Sequence, residues 1–108
     1  MTQQISPGEV LRRLRDEGRE KPLLLDVREP WEFDYCHIEG SMLLPMNDVP
    51  RRMDELRKDA EIVVICHHGI RSYRIARLLE HHGFSRVYNL QGGVDRWARE
   101  ADSAMRKY

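Results

Sequence analysis

Apolar positions along the chain follow two alternating patterns. Short continuous runs, Leu23-Leu24-Leu25-Asp26-Val27, Met42-Leu43-Leu44, Ile62-Val63-Val64-Ile65 and Val87-Tyr88-Asn89-Leu90, predict strands buried on both faces. Gln3-Gln4-Ile5 predicts a short edge strand ahead of them. Between the runs, apolar residues recur at helical spacing. In Ser6-Pro7-Gly8-Glu9 the Ser caps a helix, Pro takes its first position and Glu returns to the cap; Val10, Leu11 and Leu14 form its apolar face and Gly18 ends it. Residues 48–57 predict a second amphipathic helix, with Val49, Met53 and Leu56 on one side. Residues 71–82 predict the clearest helix, because Ile75, Leu78, Leu79 and His82 fall at i, i+3, i+4 and i+7, and Gly83 stands where a left-handed cap belongs. Residues 94–99 begin a last helix.

Strands that alternate with helices in this way predict an α/β fold, a mainly parallel sheet with helices on both faces. No repeat or linker interrupts the sequence, so residues 1–108 are expected to form one domain. In such sheets ligands bind beyond the carboxyl ends of the strands, which puts the chemistry just after Asp26, Leu44, Ile65 or Leu90. Composition narrows the partners. The 18 Lys and Arg balance 18 Asp and Glu, which argues against a polyanionic partner such as nucleic acid or an anionic membrane surface. The apolar runs are far shorter than the roughly 20 residues needed to span a bilayer, and the N-terminus lacks the basic-then-apolar order of a signal peptide. A cytoplasmic, reducing location is expected, with Cys36 and Cys66 as free thiols.

One strand end carries a reactive group. After Ile65 the chain reads Cys66-His67-His68-Gly69-Ile70-Arg71-Ser72 and enters the clearest helix. Unpaired N–H groups of a glycine turn and a helix start point at such a cysteine, and a nest of amides favours an anion. The thiolate is favoured over the thiol, which makes Cys66 nucleophilic near neutral pH. From residue 62 to residue 79 there is no Asp or Glu, while Arg71, Arg74 and Arg77 give a formal +3, with His67 and His68 beside the cysteine. That field suits a small anionic substrate and an anionic covalent intermediate. A cysteine that merely fills a strand end is the competing reading, and it leaves the coincidence of glycine turn, basic enrichment and helix start unexplained.

The same loop resembles the active-site loop of the rhodanese sulfurtransferase family. Leu25-Asp26-Val27-Arg28-Glu29-Pro30-Trp31-Glu32-Phe33 with His37-Ile38-Glu39-Gly40-Ser41 and Pro45 is similar to the family's first signature region, and Val87-Tyr88-Asn89-Leu90-Gln91-Gly92-Gly93 with Trp97 to its last. The resemblance implies a five-stranded parallel sheet and a chemistry in which Cys66 takes sulfane sulfur from a donor such as thiosulfate, holds it as a persulfide and passes it to cyanide or a thiol. It implies that the amides of His67, His68, Gly69, Ile70, Arg71 and Ser72 bind the sulfur anion, that Arg71 adds fixed charge, and that His67 and His68 orient the donor or supply charge as pH falls. No metal or organic cofactor is implied. Only four residues separate Cys66 from Arg71, where cysteine phosphatases have five, which disfavours a phosphatase or arsenate reductase. A protein-partnered sulfur relay or regulatory module with little free turnover stays open, its acceptor being another protein.

Other residues have weaker claims. Asp26 and Arg28 are able to brace the loop or contact substrate, and are expected to pair and hold the following turn, with Asp26 on backbone amides. Glu32 stands near the substrate-binding arginine of two-domain thiosulfate rhodaneses, which weighs against thiosulfate as the preferred donor. Cys36, where the family more often has glycine, is a resolving thiol or second carrier at most and is expected to be a tolerated small residue. The pairs His67-His68 and His81-His82 do not complete a tetrahedral metal site, so no metal is expected. Gln91-Gly92-Gly93 is expected to be a tight strand-to-helix turn, and Trp31 and Trp97 to pack over the sheet edges or border the site mouth. Residues 101–108 resemble tails of rhodanese domains appended to larger sulfur-activating enzymes.

Overall fold

The computed structural model describes residues 2–108. Five strands, β1 (Gln3–Ile5), β2 (Leu23–Asp26), β3 (Met42–Leu43), β4 (Glu61–Ile65) and β5 (Arg86–Leu90), form one sheet in the order β1-β5-β4-β2-β3. Every pairing is parallel, so each crossover places a helix or turn on a sheet face. The helices are α1 (Pro7–Arg15), α2 (Pro30–Tyr35), α3 (Val49–Arg52), α4 (Ile70–His81) and α5 (Gly93–Glu100). Among the described residues no helix is long and apolar enough to cross a membrane.

Alternation along the central strand builds two cores. Ile62 and Val64 of β4 pack with Leu25, Val49, Met53, Leu56, Ile75 and Leu79 on the α3–α4 face. Val63 and Ile65 pack with Val10, Leu24, Val94 and Trp97 on the α1–α5 face. With both faces covered, all four residues of the apolar run in β4 are buried, and Glu61 ahead of them is buried against Arg13 and Arg19.

Four helices depart from the sequence pattern. At α1 the Ser6 hydroxyl accepts the Glu9 N–H at 3.1 Å, but the Glu9 carboxylate bonds to Arg12 and Arg13 instead of returning to the cap. The helix stops at Arg15, ahead of Gly18, because Asp16 accepts the Gly18 N–H and starts a turn of its own. Residues 48–57 are not one helix. The short α3 lies between 3-10 turns at Met46–Asp48 and Met53–Glu55, and Pro50 in its first turn, where a missing N–H costs nothing, marks its start; Val49, Met53 and Leu56 still face the core. His82 is exposed, not part of the α4 face, and its Nδ1 lies 2.9 Å from the Leu78 carbonyl. The α2 helix carries no apolar stripe to announce it: it buries Glu32 and exposes Trp31 and Tyr35.

The carboxyl end of β2 is tied by a buried ion pair. Asp26 and Arg28 have no exposure to water. Asp26 Oδ1 accepts the Arg28 backbone N–H at 3.1 Å and its Nε–H at 2.9 Å, while Arg28 Nη2 reaches Asp26 Oδ2 at 2.8 Å and the Cys36 carbonyl at 2.7 Å. One guanidinium thus joins the strand end to the residue that closes α2. Arg28→Met leaves a buried carboxylate without its partner and is expected to lower unfolding stability by about 3–5 kcal/mol, measured by urea denaturation at neutral pH. A loss below about 1 kcal/mol would show that the pair does not hold this end of the sheet.

Candidate active site

Cys66 follows the last residue of β4 and is 1% exposed. Its Sγ accepts from the Gly69 backbone N–H at 3.1 Å and lies 3.2 Å from the Ser72 hydroxyl, whose one hydrogen has Asn89 Oδ1 as its other acceptor. Gly69 makes this possible: at φ 101° it reverses the chain at the start of α4, a conformation that side-chain-bearing residues rarely adopt. Ser72, one turn into α4, is completely buried. Of the amides expected around the sulfur, Gly69 is therefore the one in direct hydrogen-bond contact.

The start of α5 supports the loop from behind. Val94 N–H donates to the Cys66 carbonyl at 2.9 Å and Asp95 N–H to the His67 carbonyl at 3.1 Å. The approach is so close that a Cβ on Gly93 would fall 2.3 Å from the His67 carbonyl oxygen and 2.4 Å from that of Cys66. The Gln91-Gly92-Gly93 turn is thus more than a tight connection, since the missing side chain at Gly93 lets α5 abut the loop. Asn89, buried in β5, adds a side-chain tie by donating Nδ2–H to the Gly69 carbonyl at 3.0 Å.

The front of the loop carries less free charge than the sequence implies. Arg71 Nη1 and Nη2 bond to Glu32 Oε1 and Oε2 at 2.7 and 2.9 Å, so α2 supplies the acid that the 62–79 stretch lacks. Arg74 is exposed, and Arg77, two turns into α4, lines a groove with Thr2, Tyr73, Glu80 and His81. The three arginines therefore do not converge on Cys66. Glu32 also accepts the Glu29 N–H at 3.0 Å and the Tyr108 hydroxyl at 2.7 Å. The Tyr108 hydroxyl in turn accepts from Arg28 Nη1 at 2.7 Å, and its ring stacks on His67 at 3.8 Å. His68, exposed, stacks on the other side of His67 at 3.9 Å. Burial, and then the neighbouring His68, lower the His67 pKa, so this imidazole gains charge only in more acidic solution than an ordinary histidine.

The remaining candidates are dispersed. Ile70 is 69% exposed beside the loop. Cys36 is buried, with its Sγ 3.9 Å from Arg28 Nη1. Trp97 packs in the core, whereas Trp31 is 64% exposed and meets Tyr108 edge-on, so it does not cover a sheet edge. Folding also brings Asp95 within 4.8 Å of the His67 and His68 ring nitrogens, a third donor that sequence separation hides. The two imidazoles lie nearly parallel, which sends their lone pairs side by side, and Asp95 already bonds to Arg99; this set does not fit a tetrahedral ion.

The rhodanese-like domain profile matches residues 6–100. The chain belongs to the rhodanese-like domain family. A sulfurtransferase of Allochromatium vinosum is 39% identical over 92% of this chain and 91% of its own. The thiosulfate sulfurtransferase GlpE of Actinobacillus pleuropneumoniae serotype 3 is 33% identical over 89% of this chain and 86% of its own. The crystal structure of a rhodanese-related protein from Thermoplasma volcanium superposes with a TM-score of 0.82 at 26% identity, covering 92% of this chain and 93% of that one.

Within this rhodanese-like domain, three residues that touch the site escaped the sequence reading of function. Asn89 had a signal, being a polar residue inside a buried strand run. Gly93 had only its place in a glycine pair. Tyr108 had none, because its contacts to Arg28, Glu32 and His67 all depend on long-range folding.

The front network makes stability pH-dependent. Hydrogen bonds from Arg71, then from the Glu29 amide and Tyr108, hold the Glu32 carboxyl at about 2 against the opposing effect of burial, below the ordinary 4.5. A carboxyl lowered in the folded state stabilises it above the unfolded value and loses that contribution as pH falls from about 4.5 to about 2. In urea titrations across this range, Glu32→Gln is expected to be less stable than wild type at neutral pH and to lose less stability on acidification. Identical acid dependence in the two proteins would remove Glu32 from this role.

Proposed function

We propose that this protein moves sulfane sulfur through a persulfide on Cys66. The observation that carries the reading is the pair of donors, Gly69 N–H and Ser72 Oγ–H, at 3.1 and 3.2 Å from a sulfur at the end of a buried strand. Such preorganised donors stabilise negative charge on sulfur in a site with little water. The Cys66 thiolate attacks the outer sulfur of a donor such as thiosulfate. The new S–S bond forms as the donor's S–S bond breaks, sulfite leaves with the bonding pair, and the enzyme keeps a persulfide anion. A thiophilic acceptor, cyanide or a thiol, then takes the outer sulfur and returns the thiolate. The names of the Allochromatium and Actinobacillus relatives support this class of chemistry. No step calls for a metal or organic cofactor.

The front of the site favours hydrogen bonding over bulk charge in choosing the donor. Because Glu32 occupies both terminal nitrogens of Arg71, a dianionic donor meets a paired arginine, and thiosulfate is read as one member of a donor class that includes other sulfane-sulfur compounds.

Incubation with thiosulfate, and separately with a polysulfide, is expected to add one sulfur to the intact mass of the wild type and none to Cys66→Ser. Cyanide is expected to remove it and release thiocyanate. No Cys66-dependent adduct with either donor would overturn the proposal, and phosphate-ester turnover abolished by Cys66→Ser would replace it with phosphatase chemistry.

A further inference from the structure

The two groups that donate to Cys66 Sγ share one buried neighbour. Asn89 lies on β5, whose register places it opposite Gln4 of β1. Its Nδ2 donates to the Gly69 carbonyl and to Gln4 Oε1, both at 3.0 Å, which uses both amide hydrogens. The Gly69 carbonyl sets the orientation of the amide: Oδ1 must face Ser72, since a flipped amide would put oxygen against a backbone oxygen that can only accept. Ser72 Oγ accordingly has Asn89 Oδ1 as one acceptor and, at 3.2 Å, Cys66 Sγ as another. A hydroxyl carries one hydrogen, so it serves one of these acceptors at a time.

We infer that Asn89 is a positioning residue that acts through Ser72 and sets how readily the Cys66 sulfur becomes anionic. With Cys66 as the thiol, S–H donates to Ser72 Oγ, and the hydroxyl hydrogen stays on Asn89 Oδ1. Once the thiol has released its proton to solvent, the sulfur has only acceptor capacity, and the hydroxyl rotates its hydrogen onto it. Asn89 Oδ1 then loses its partner inside the protein, where an unpaired acceptor is costly. The amide thus competes with the sulfur for a single hydrogen. A weaker acceptor at position 89 frees the hydroxyl for the anion, and a stronger one retains it.

This rests on Cys66 as the nucleophile, but the test uses no sulfur donor, so it separates the two ideas. The rate of Cys66 alkylation by iodoacetamide, followed by intact mass across pH, reports the anionic fraction of the sulfur. Wild type, Asn89→Ala, Ser72→Ala and the double variant form a cycle that cancels effects of Asn89 routed through Gly69. Ser72→Ala is expected to move the profile to higher pH. Asn89→Ala is expected to speed alkylation on the acidic limb by about threefold to tenfold more in the presence of Ser72 than in its absence, the range one net hydrogen bond supplies. Asn89→Leu fills the same space and offers no acceptor, so its coupling to Ser72 is expected to have the same sign and range as that of Asn89→Ala. This variant carries the test if Asn89→Ala does not fold, as judged by its thermal transition. No coupling to Ser72, or coupling in which loss of the acceptor slows alkylation, in whichever of the two variants folds would overturn the inference. A missing persulfide adduct alongside the expected coupling would instead refute sulfur transfer and leave this hydrogen-bond switch in place.

Discussion

A guanidinium with no access to water must have its charge and its donors satisfied by the protein, and Arg28 imposes that requirement on the ligand end of the sheet. Asp26 balances the charge from the last position of β2, the Cys36 carbonyl takes one donor where α2 ends, and the Tyr108 hydroxyl takes another. The end of β2, the end of α2 and Tyr108, which is 80 residues from Arg28 in sequence, therefore meet at one side chain. Tyr108 passes the constraint on, since its hydroxyl donates to Glu32 and Glu32 grips Arg71 at the start of α4. The front of the Cys66 loop is positioned through this chain of polar contacts.

The back depends on a different physical principle, the close approach of backbone to backbone. The first N–H groups of a helix have no partners within the helix. In α5 the Val94 and Asp95 amides find theirs in the carbonyls of Cys66 and His67, at a distance that leaves no room for a Cβ on Gly93. Donors that would otherwise need water thus hold the loop carbonyls in place. With the carbonyls turned to α5, the loop is held from behind while Gly69 N–H faces the sulfur. Rigid placement matters because a hydrogen bond to a developing anion helps most when the donor is already aimed at it.

The parts of this architecture that rest on local pattern were legible in the sequence. The apolar runs announce the strands, Gly83 marks the end of α4 at φ 92°, and Cys66 is placed at a strand end by its neighbours alone. The parts that rest on long-range pairing were not. The 62–79 stretch reads as strongly basic because Glu32 is supplied from α2, whose own helix is hidden by an inverted pattern of buried acid and exposed aromatics. Residues 48–57 carry the period of a helix, yet the 3-10 turns on either side of α3 satisfy the same burial with only one short helical segment. Hydrophobic period reports which side chains face the core, and it does so here even where it misreports the backbone.

Cancellation of the Arg71 charge changes how an anion is stabilised at Cys66. Net charge spread over exposed arginines acts at long range and is screened by salt within about 10 Å. The Gly69 N–H and the Ser72 hydroxyl act over one hydrogen bond, next to a buried sulfur, where the low dielectric strengthens them. A short-range, directional source of stabilisation favours an anion formed on the sulfur itself over a bulk counterion drawn to the surface. That is the electrostatic problem a sulfur carrier has to solve: it must hold charge on one covalently bound atom and release it to an acceptor. Under the proposed function, a chain with 18 basic and 18 acidic residues would meet this problem with two well-placed donors and no excess of positive charge.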